Sequence, residues 1–265
     1  MNPLIEIDEF VKIIDRPDVK VFDLRGDWGT PPASKKANYL EAHIPGAVFI
    51  DWIKDFLEKA ETVALAPVAG YEKTKASARR LGINNDDTVI LYDDYNNMFA
   101  ARTWWALRYW GHPRVRILNG GWTQWQASGR AVAKGEELPA VGDFEPSEKP
   151  QHIINTDAVR DAAIGAGDQP YIIDARGPVG YEKGHIASAI NLPYSDVVDK
   201  ETALFKADAE IAQVFDEKIP EWKSKPIIAS CGAGYAATIV LAALEKLGVQ
   251  SPLYDGSYSV YSRRA

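Results

Sequence analysis

The chain repeats itself once, and the repeat dictates its architecture. Val21-Phe22-Asp23-Leu24-Arg25 is answered by Ile172-Ile173-Asp174-Ala175-Arg176, each an apolar run closing on Asp-x-Arg. Ala42-His43-Ile44-Pro45-Gly46-Ala47 is answered by Gly184-His185-Ile186-Ala187-Ser188-Ala189. The aspartate-to-histidine spacing is 20 positions in the first half and 11 in the second, which places a nine-residue insertion at Trp28–Lys36. The Pro31-Pro32 pair marks that insertion as loop. Ala100-Ala101 with Ala236-Ala237, and Asn119-Gly120 with Asp255-Gly256, keep an offset of 136 positions. A repeat of that length is a duplicated domain, since solenoid units are far shorter. The polar, proline-bearing stretch from Lys134 to Pro150 reads as a linker. The expected division is an N-terminal domain at 1–134, a linker at 135–151 and a C-terminal domain at 152–265. Short apolar runs, Thr88 to Tyr92 and Val115 to Leu118, alternate with helical stretches such as Phe99 to Trp110. Such alternation predicts α/β domains, each a parallel sheet flanked by helices.

The chemistry concentrates in the second copy, at Pro226 to Gly248. Ile227, Ile228 and Ala229 suit a strand buried on both faces. Beyond Ala236, Ile239, Val240, Ala243, Leu244 and Leu247 recur at helical spacing, and Gly248 is placed to cap the helix end. Cys231, the only cysteine, therefore falls at the carboxyl end of a strand, in a turn that Gly232 and Gly234 allow to close tightly before a helix N-terminus. Unpaired N–H groups and the helix dipole favour negative charge there, and such settings lower a thiol pKa from ~8.5 to ~3.5–7.5. A cysteine inside an apolar helix would read as a buried hydrophobe; one in a glycine turn reads as a nucleophile. Gly232 to Ala237 also fits GxGxxA, with Asp255 spaced for a ribose contact. Only ten residues follow Asp255, too few for the βα units of a dinucleotide domain. At the corresponding turn the first half has Tyr92-Asp93-Asp94-Tyr95-Asn96-Asn97-Met98, with no thiol, and its aspartates read as helix-capping chemistry.

Composition narrows the setting. The 265 residues are 46% hydrophobic and 25% charged, as in a soluble globular protein, and no segment approaches a membrane span. The opening MNPLIEIDEFVKIIDRP mixes acids with apolar residues, unlike a signal peptide, so a cytoplasmic location is expected. Thirty basic against thirty-seven acidic residues, a net charge of −7, argue against a nucleic-acid footprint. A single cysteine excludes an internal disulfide or resolving thiol. No cofactor or metal is called for, and a monomer is expected.

The ordered set of Asp-x-Arg, His43-Ile44-Pro45-Gly46-Ala47, Tyr92-Asp93-Asp94 followed by Phe99-Ala100-Ala101-Arg102, Asn119-Gly120-Gly121-Trp122, the cysteine loop and Tyr254-Asp255-Gly256-Ser257 resembles the tandem rhodanese family, across nearly the whole chain. The resemblance implies an inactive N-terminal rhodanese-like domain beside a catalytic C-terminal one. It implies a sulfurtransferase in which Cys231 carries a persulfide from thiosulfate or 3-mercaptopyruvate to a thiol or cyanide acceptor. It gives the substrate-binding backbone of Gly232, Ala233, Gly234, Tyr235 and Ala236 the task of holding that persulfide. In chemical terms this is covalent catalysis in an anion nest.

Departures from the family pattern matter as well. CGAGYA is glycine-rich like the mercaptopyruvate-type loop and lacks the Arg-Lys pair of the thiosulfate type, but Ala233 stands where that loop has serine. The histidine associated with that serine matches His43, while the aspartate position holds Pro32. The family's substrate-binding arginine, four positions past the Asp-x-Arg arginine, falls on Gly180, and Arg176 matches a structural arginine expected to pair with an aspartate. Remaining candidates for catalysis or anion contact are His43, Lys183, Arg25 and Arg102, with Lys35 and Lys36. Missing cations leave room for an alternative, a persulfide carrier or binding module with little turnover on small donors. A cysteine phosphatase would need an arginine closing the loop, where Ala236, Ala237 and Thr238 stand. A thiol oxidoreductase would need a second cysteine.

Overall fold

The computed structural model describes residues 1–165 and 169–263. The chain forms two compact units, Met1–Lys59 with Val68–Lys149 and Glu201–Leu204, and Ala60–Pro67 with Pro150–Lys200 and Phe205–Ala265.

The first unit contains strands β1 (Leu4–Ile5), β2 (Val19–Asp23), β3 (Gly26–Asp27), β4 (Ala33–Ser34), β5 (Ala47–Phe49), β6 (Thr88–Tyr92) and β7 (Val115–Leu118). Its helices are α1 (Ile7–Phe10), α2 (Lys36–Glu41), α3 (Tyr71–Arg80), α4 (Met98–Tyr109) and α5 (Gly121–Ala127). Five strands make a parallel sheet in the order β1-β7-β6-β2-β5. Val89, Ile90, Leu91 and Tyr92 of the central β6 are fully buried, because helices cover both faces of a parallel sheet and leave its middle strand no polar side. Helix α4 is apolar nearly all round for the same reason, with eleven buried residues.

The second unit repeats the plan with β8 (Ile153–Ile154), β9 (Tyr171–Asp174), β10 (Ile190–Asn191), β11 (Ile227–Ser230) and β12 (Leu253–Tyr254). Its helices are α6 (Thr156–Ile164), α7 (Pro178–Glu182), α8 (Asp208–Lys218), α9 (Ala236–Lys246) and α10 (Ser257–Tyr261). The parallel order β8-β12-β11-β9-β10 is that of the first sheet, strand for strand. Each copy is thus an α/β domain whose loops at the carboxyl ends of central strands are placed for chemistry.

The structure corrects two details of the repeat. The 136-position offset would set Cys231 against Tyr95, but Tyr92 pairs with Asp23 as Ser230 pairs with Asp174, so Cys231 matches Asp93. Both loops then run five positions to their helix, α4 at Met98 and α9 at Ala236, and Ala100 matches Thr238. The insertion at Trp28–Lys36, read as loop, also supplies the second arm of an antiparallel hairpin, β3 with β4. The polar stretch after Lys134 is bound along the first unit: the N–H groups of Gly142, Phe144 and Ser147 donate to the carbonyls of Arg79, Ile83 and Trp110 at 2.8–3.1 Å. Within it Phe144 is buried at 2% exposure, while Leu138 and Val141 are exposed.

Candidate active site

Strand β11 is buried along its whole length between β9 and β12, so the residue after it emerges from the middle of the sheet. That residue is Cys231, itself 2% exposed. Helix α10 fixes the start of its loop. The Cys231 N–H donates to Ser257 Oγ at 3.1 Å, the Cys231 carbonyl accepts from Tyr258 N–H at 2.9 Å, and the Gly232 carbonyl accepts from Ser259 N–H at 3.1 Å.

The Gly234 N–H donates to Cys231 Sγ at 3.1 Å. Gly234 has φ +80°, a left-handed conformation that costs glycine nothing and a residue with Cβ ~1–2 kcal/mol. This turn brings the N–H back onto the sulfur. Ser257 Oγ lies 3.9 Å from Sγ and also donates to the Tyr254 carbonyl at 3.0 Å. Helix α9 opens at Ala236 behind Tyr235 with no side-chain cap, so the positive end of its dipole is directed at the loop without a carboxylate or hydroxyl of the cap residue in the way. Ala233 and Tyr235 are buried, and Gly232 and Ala236 are half-buried. Of the five loop residues named from the sequence, Gly234 places its N–H on the sulfur. The arrangement suits stabilising a thiolate or a persulfide anion.

The Asp-x-Arg motifs build a clasp beneath this turn. Arg176 Nε lies 2.9 Å from Asp174 Oδ1 and its Nη2 donates to Asp174 Oδ2 at 2.5 Å and to the Gly184 carbonyl at 2.7 Å. Its guanidinium sits 4.4 Å from the Tyr258 ring centroid. The clasp ties the end of β9 to the His185 turn and to the residue that holds the Cys231 carbonyl. In the first unit Arg25 does the same with Asp23, the Ala42 carbonyl and the Trp122 ring. Arg25, expected as an anion contact, is committed to that structural pairing. His43 is fully buried, with Nδ1 donating to the Tyr39 carbonyl at 2.8 Å and its ring stacked 4.3 Å from Tyr39. His185 repeats the contact with Tyr181 at 3.0 and 3.8 Å. A histidine four positions after a tyrosine is thus a packing unit of both copies, which accounts for His43 without catalysis.

The other cations are placed as follows. Arg102 is buried in α4 with its guanidinium 4.8 Å from the Trp105 ring centroid. Lys35 pairs with Asp94 at 2.9 Å and Lys36 with Glu136 at 2.7 Å. Lys183 is exposed at the end of α7. Ser257 and Tyr258 are the site residues that sequence reasoning did not assign. Their signal was Asp255-Gly256-Ser257-Tyr258, which answers Asn119-Gly120-Gly121-Trp122 of the first half. Among the described residues, no group of three His, Cys, Asp or Glu side chains could hold a metal ion, and no helix is long and apolar enough to cross a membrane.

A buried cysteine, its sulfur accepting from a backbone N–H at the end of the central strand in one of two matching parallel sheets, marks a duplicated α/β protein. The rhodanese-like domain model matches residues 6–128 and again 157–264. The 3-mercaptopyruvate sulfurtransferase of Escherichia coli strain K12 is 33% identical over 282 residues, covering 97% of this chain and 94% of that protein. The thiosulfate sulfurtransferase of Bos taurus is 30% identical over 265 residues, covering 94% and 86%. The crystal structure of a 3-mercaptopyruvate sulfotransferase from Escherichia coli matches with a TM-score of 0.85 at 30% identity, over 97% of this chain and 99% of that one. The chain belongs to the rhodanese family, carries the domain twice, and is a sulfurtransferase. Sulfur transfer in turn requires a sulfur donor and a thiol acceptor.

Proposed function

We propose that Cys231 is the nucleophile and that its thiolate takes the sulfane sulfur of thiosulfate or 3-mercaptopyruvate. With thiosulfate, a new S–S bond forms at Sγ, the donor's S–S bond breaks, and sulfite leaves with the electron pair. With 3-mercaptopyruvate, the C–S bond breaks, the carbon keeps the electron pair and takes a proton, and pyruvate leaves. A thiol or cyanide then attacks the outer sulfur of the persulfide and regenerates the thiolate. The N–H groups from Gly232 to Ala236 hold the persulfide charge. The observation that carries this reading is the Gly234 N–H on Sγ at 3.1 Å, in a loop whose carbonyls are tied down by α10.

The loop has no cationic side chain, and this favours 3-mercaptopyruvate over the doubly charged thiosulfate, which binds best to charge-assisted donors. The first domain, 1–134, is non-catalytic in this reading, and 152–265 is catalytic. The unpaired thiol suits a reducing compartment, so the enzyme is assigned to the cytoplasm, as a monomer that binds no nucleic acid. Sulfur transfer to cyanide from each donor, measured side by side with Cys231→Ser as control, tests the proposal. The expected outcome is turnover on at least one donor and none in the variant. Rates near background on both would instead favour a persulfide carrier, a role consistent with a sulfur only 2% exposed at its residue.

A further inference from the structure

Arg176 forms in the second unit the clasp that Arg25 forms in the first, but it is left more open. Its Nε and Nη2 are committed to Asp174 and the Gly184 carbonyl. A guanidinium carries five N–H donors, and among the described residues nothing accepts from the two on Nη1. The Arg176 side chain is 17% exposed, against 4% for Arg25. The insertion in the first half accounts for the difference. There the β3–β4 hairpin starts at the residue after Arg25, and Lys35, just past its second arm, returns to donate its N–H to the Arg25 carbonyl at 2.9 Å. In the second unit α7 begins at Pro178 instead, and glycines flank the arginine. A Cβ at Gly177 would meet nothing within 4 Å, and one at Gly180 or Gly232 would meet only the Arg176 stem, at 3.6–3.8 Å. Arg176 therefore borders open space shared with Gly232, the residue next to the nucleophile.

We propose that Arg176 recognises the sulfur donor: the two N–H groups of Nη1 take its anionic end, the carboxylate of 3-mercaptopyruvate or an outer oxygen of thiosulfate, while its sulfur meets Cys231. This assignment rests on Cys231 as the nucleophile. The clasp sets the direction of the free donors, with the Asp174 carboxylate on one edge of the guanidinium and the Tyr258 ring 4.4 Å from its centre on the face. Tyr258 also donates its N–H to the Cys231 carbonyl at 2.9 Å, so one residue positions both the cation and the nucleophile. Asp174 offsets the net charge of Arg176, and recognition then comes from short-range, charge-assisted hydrogen bonds rather than from attraction at a distance. Donors fixed in place before binding hold a small anion at little cost in freedom.

Arg176→Lys in the full chain keeps a cation beside Asp174 and removes Nη1. The KM for both anionic donors should rise about tenfold, with kcat changed far less. Cys231 is the only cysteine, so alkylation reports on it alone. Iodoacetate and iodoacetamide are alike in size and differ in charge, which separates anion recognition from a disturbed loop. The ratio of their rates should fall about fivefold in the variant, the worth of one ordinary hydrogen bond. A loss confined to kcat, or equal slowing of both reagents, overturns the proposal. Gly180→Glu leaves the clasp intact and offers Nη1 a carboxylate of the protein's own. It should lower the iodoacetate-to-iodoacetamide ratio about fivefold relative to Gly180→Gln. Equal ratios in these two variants overturn the proposal whether or not the lysine variant folds. Alkylation needs no sulfur transfer, so a lack of turnover would sink the function proposed above and still leave the ratios to judge Arg176.

Discussion

Cys231 owes its setting to main-chain groups, and that makes its reactivity testable one residue at a time. Gly234→Ala should strain the turn that aims its N–H at Sγ and lower kcat/KM at least tenfold, and an unchanged kcat/KM would show that this N–H does not serve the sulfur. Ser257→Ala removes the acceptor of the Cys231 N–H and the hydroxyl 3.9 Å from Sγ. We expect a loss of about tenfold in kcat/KM, equivalent to ~1.4 kcal/mol. An unchanged kcat/KM would assign Ser257 to packing alone. Replacing Gly232 with Arg and Ala233 with Lys adds two charge-assisted donors at ~1.5–3 kcal/mol each and should lower the thiosulfate KM at least tenfold. Position 232 has room, because a Cβ there would meet only Arg176 Cδ at 3.6 Å. A thiosulfate KM that does not move would place donor recognition elsewhere. Cys231 stood out in the sequence because a lone thiol followed by two glycines in a strand-to-helix turn has few bland readings. Ser257 did not, since it reaches the site by a chain reversal 26 positions later. Nor could spacing distinguish a catalytic His43 from one stacked on Tyr39.

Elements were legible in proportion to their length. The apolar runs of β6, β9 and β11 are four or five residues and stand out against charged or glycine punctuation. The outer strands β1, β8 and β10 have two residues each, too few for any periodicity to register. Their existence depends on a neighbouring strand already being in place. The stretch 135–151 looked like a linker because polar and proline residues dominate it, and a single buried phenylalanine does not alter that average. Phe144→Ala should therefore cost ~3–5 kcal/mol, like other large-to-small changes in a core, and should raise amide exchange at Gly142 and Ser147. A loss under ~1 kcal/mol would show that the segment adheres through its main chain alone.

At the level of the whole molecule, stability carries the mark of a buried neutral histidine. His112 is 1% exposed; its Nε2–H donates to the Asn84 carbonyl at 3.1 Å and its Nδ1 accepts from the Arg114 N–H at 3.3 Å. These partners fit the neutral ring, and burial pushes its pKa down to about 4. Between pH 6.5 and 4 the unfolded chain therefore binds a proton that the folded chain refuses. Stability falls as pH drops through this window, by ~3 kcal/mol at its lower end. His112→Gln should lose less stability than the wild type between pH 6.5 and 4 in urea titrations. Parallel curves would remove His112 from the account.

The duplicated sheet was readable from its paired motifs, and the proposed chemistry rests on one difference between the copies, cysteine against aspartate after the same strand. The most direct test is the intact mass of the full chain after incubation with thiosulfate or 3-mercaptopyruvate, with the modified residue located by peptide mapping. The account predicts the mass of one added sulfur atom, on Cys231, released by cyanide and absent from Cys231→Ser. No added sulfur from either donor, or the same gain in Cys231→Ser, would contradict it.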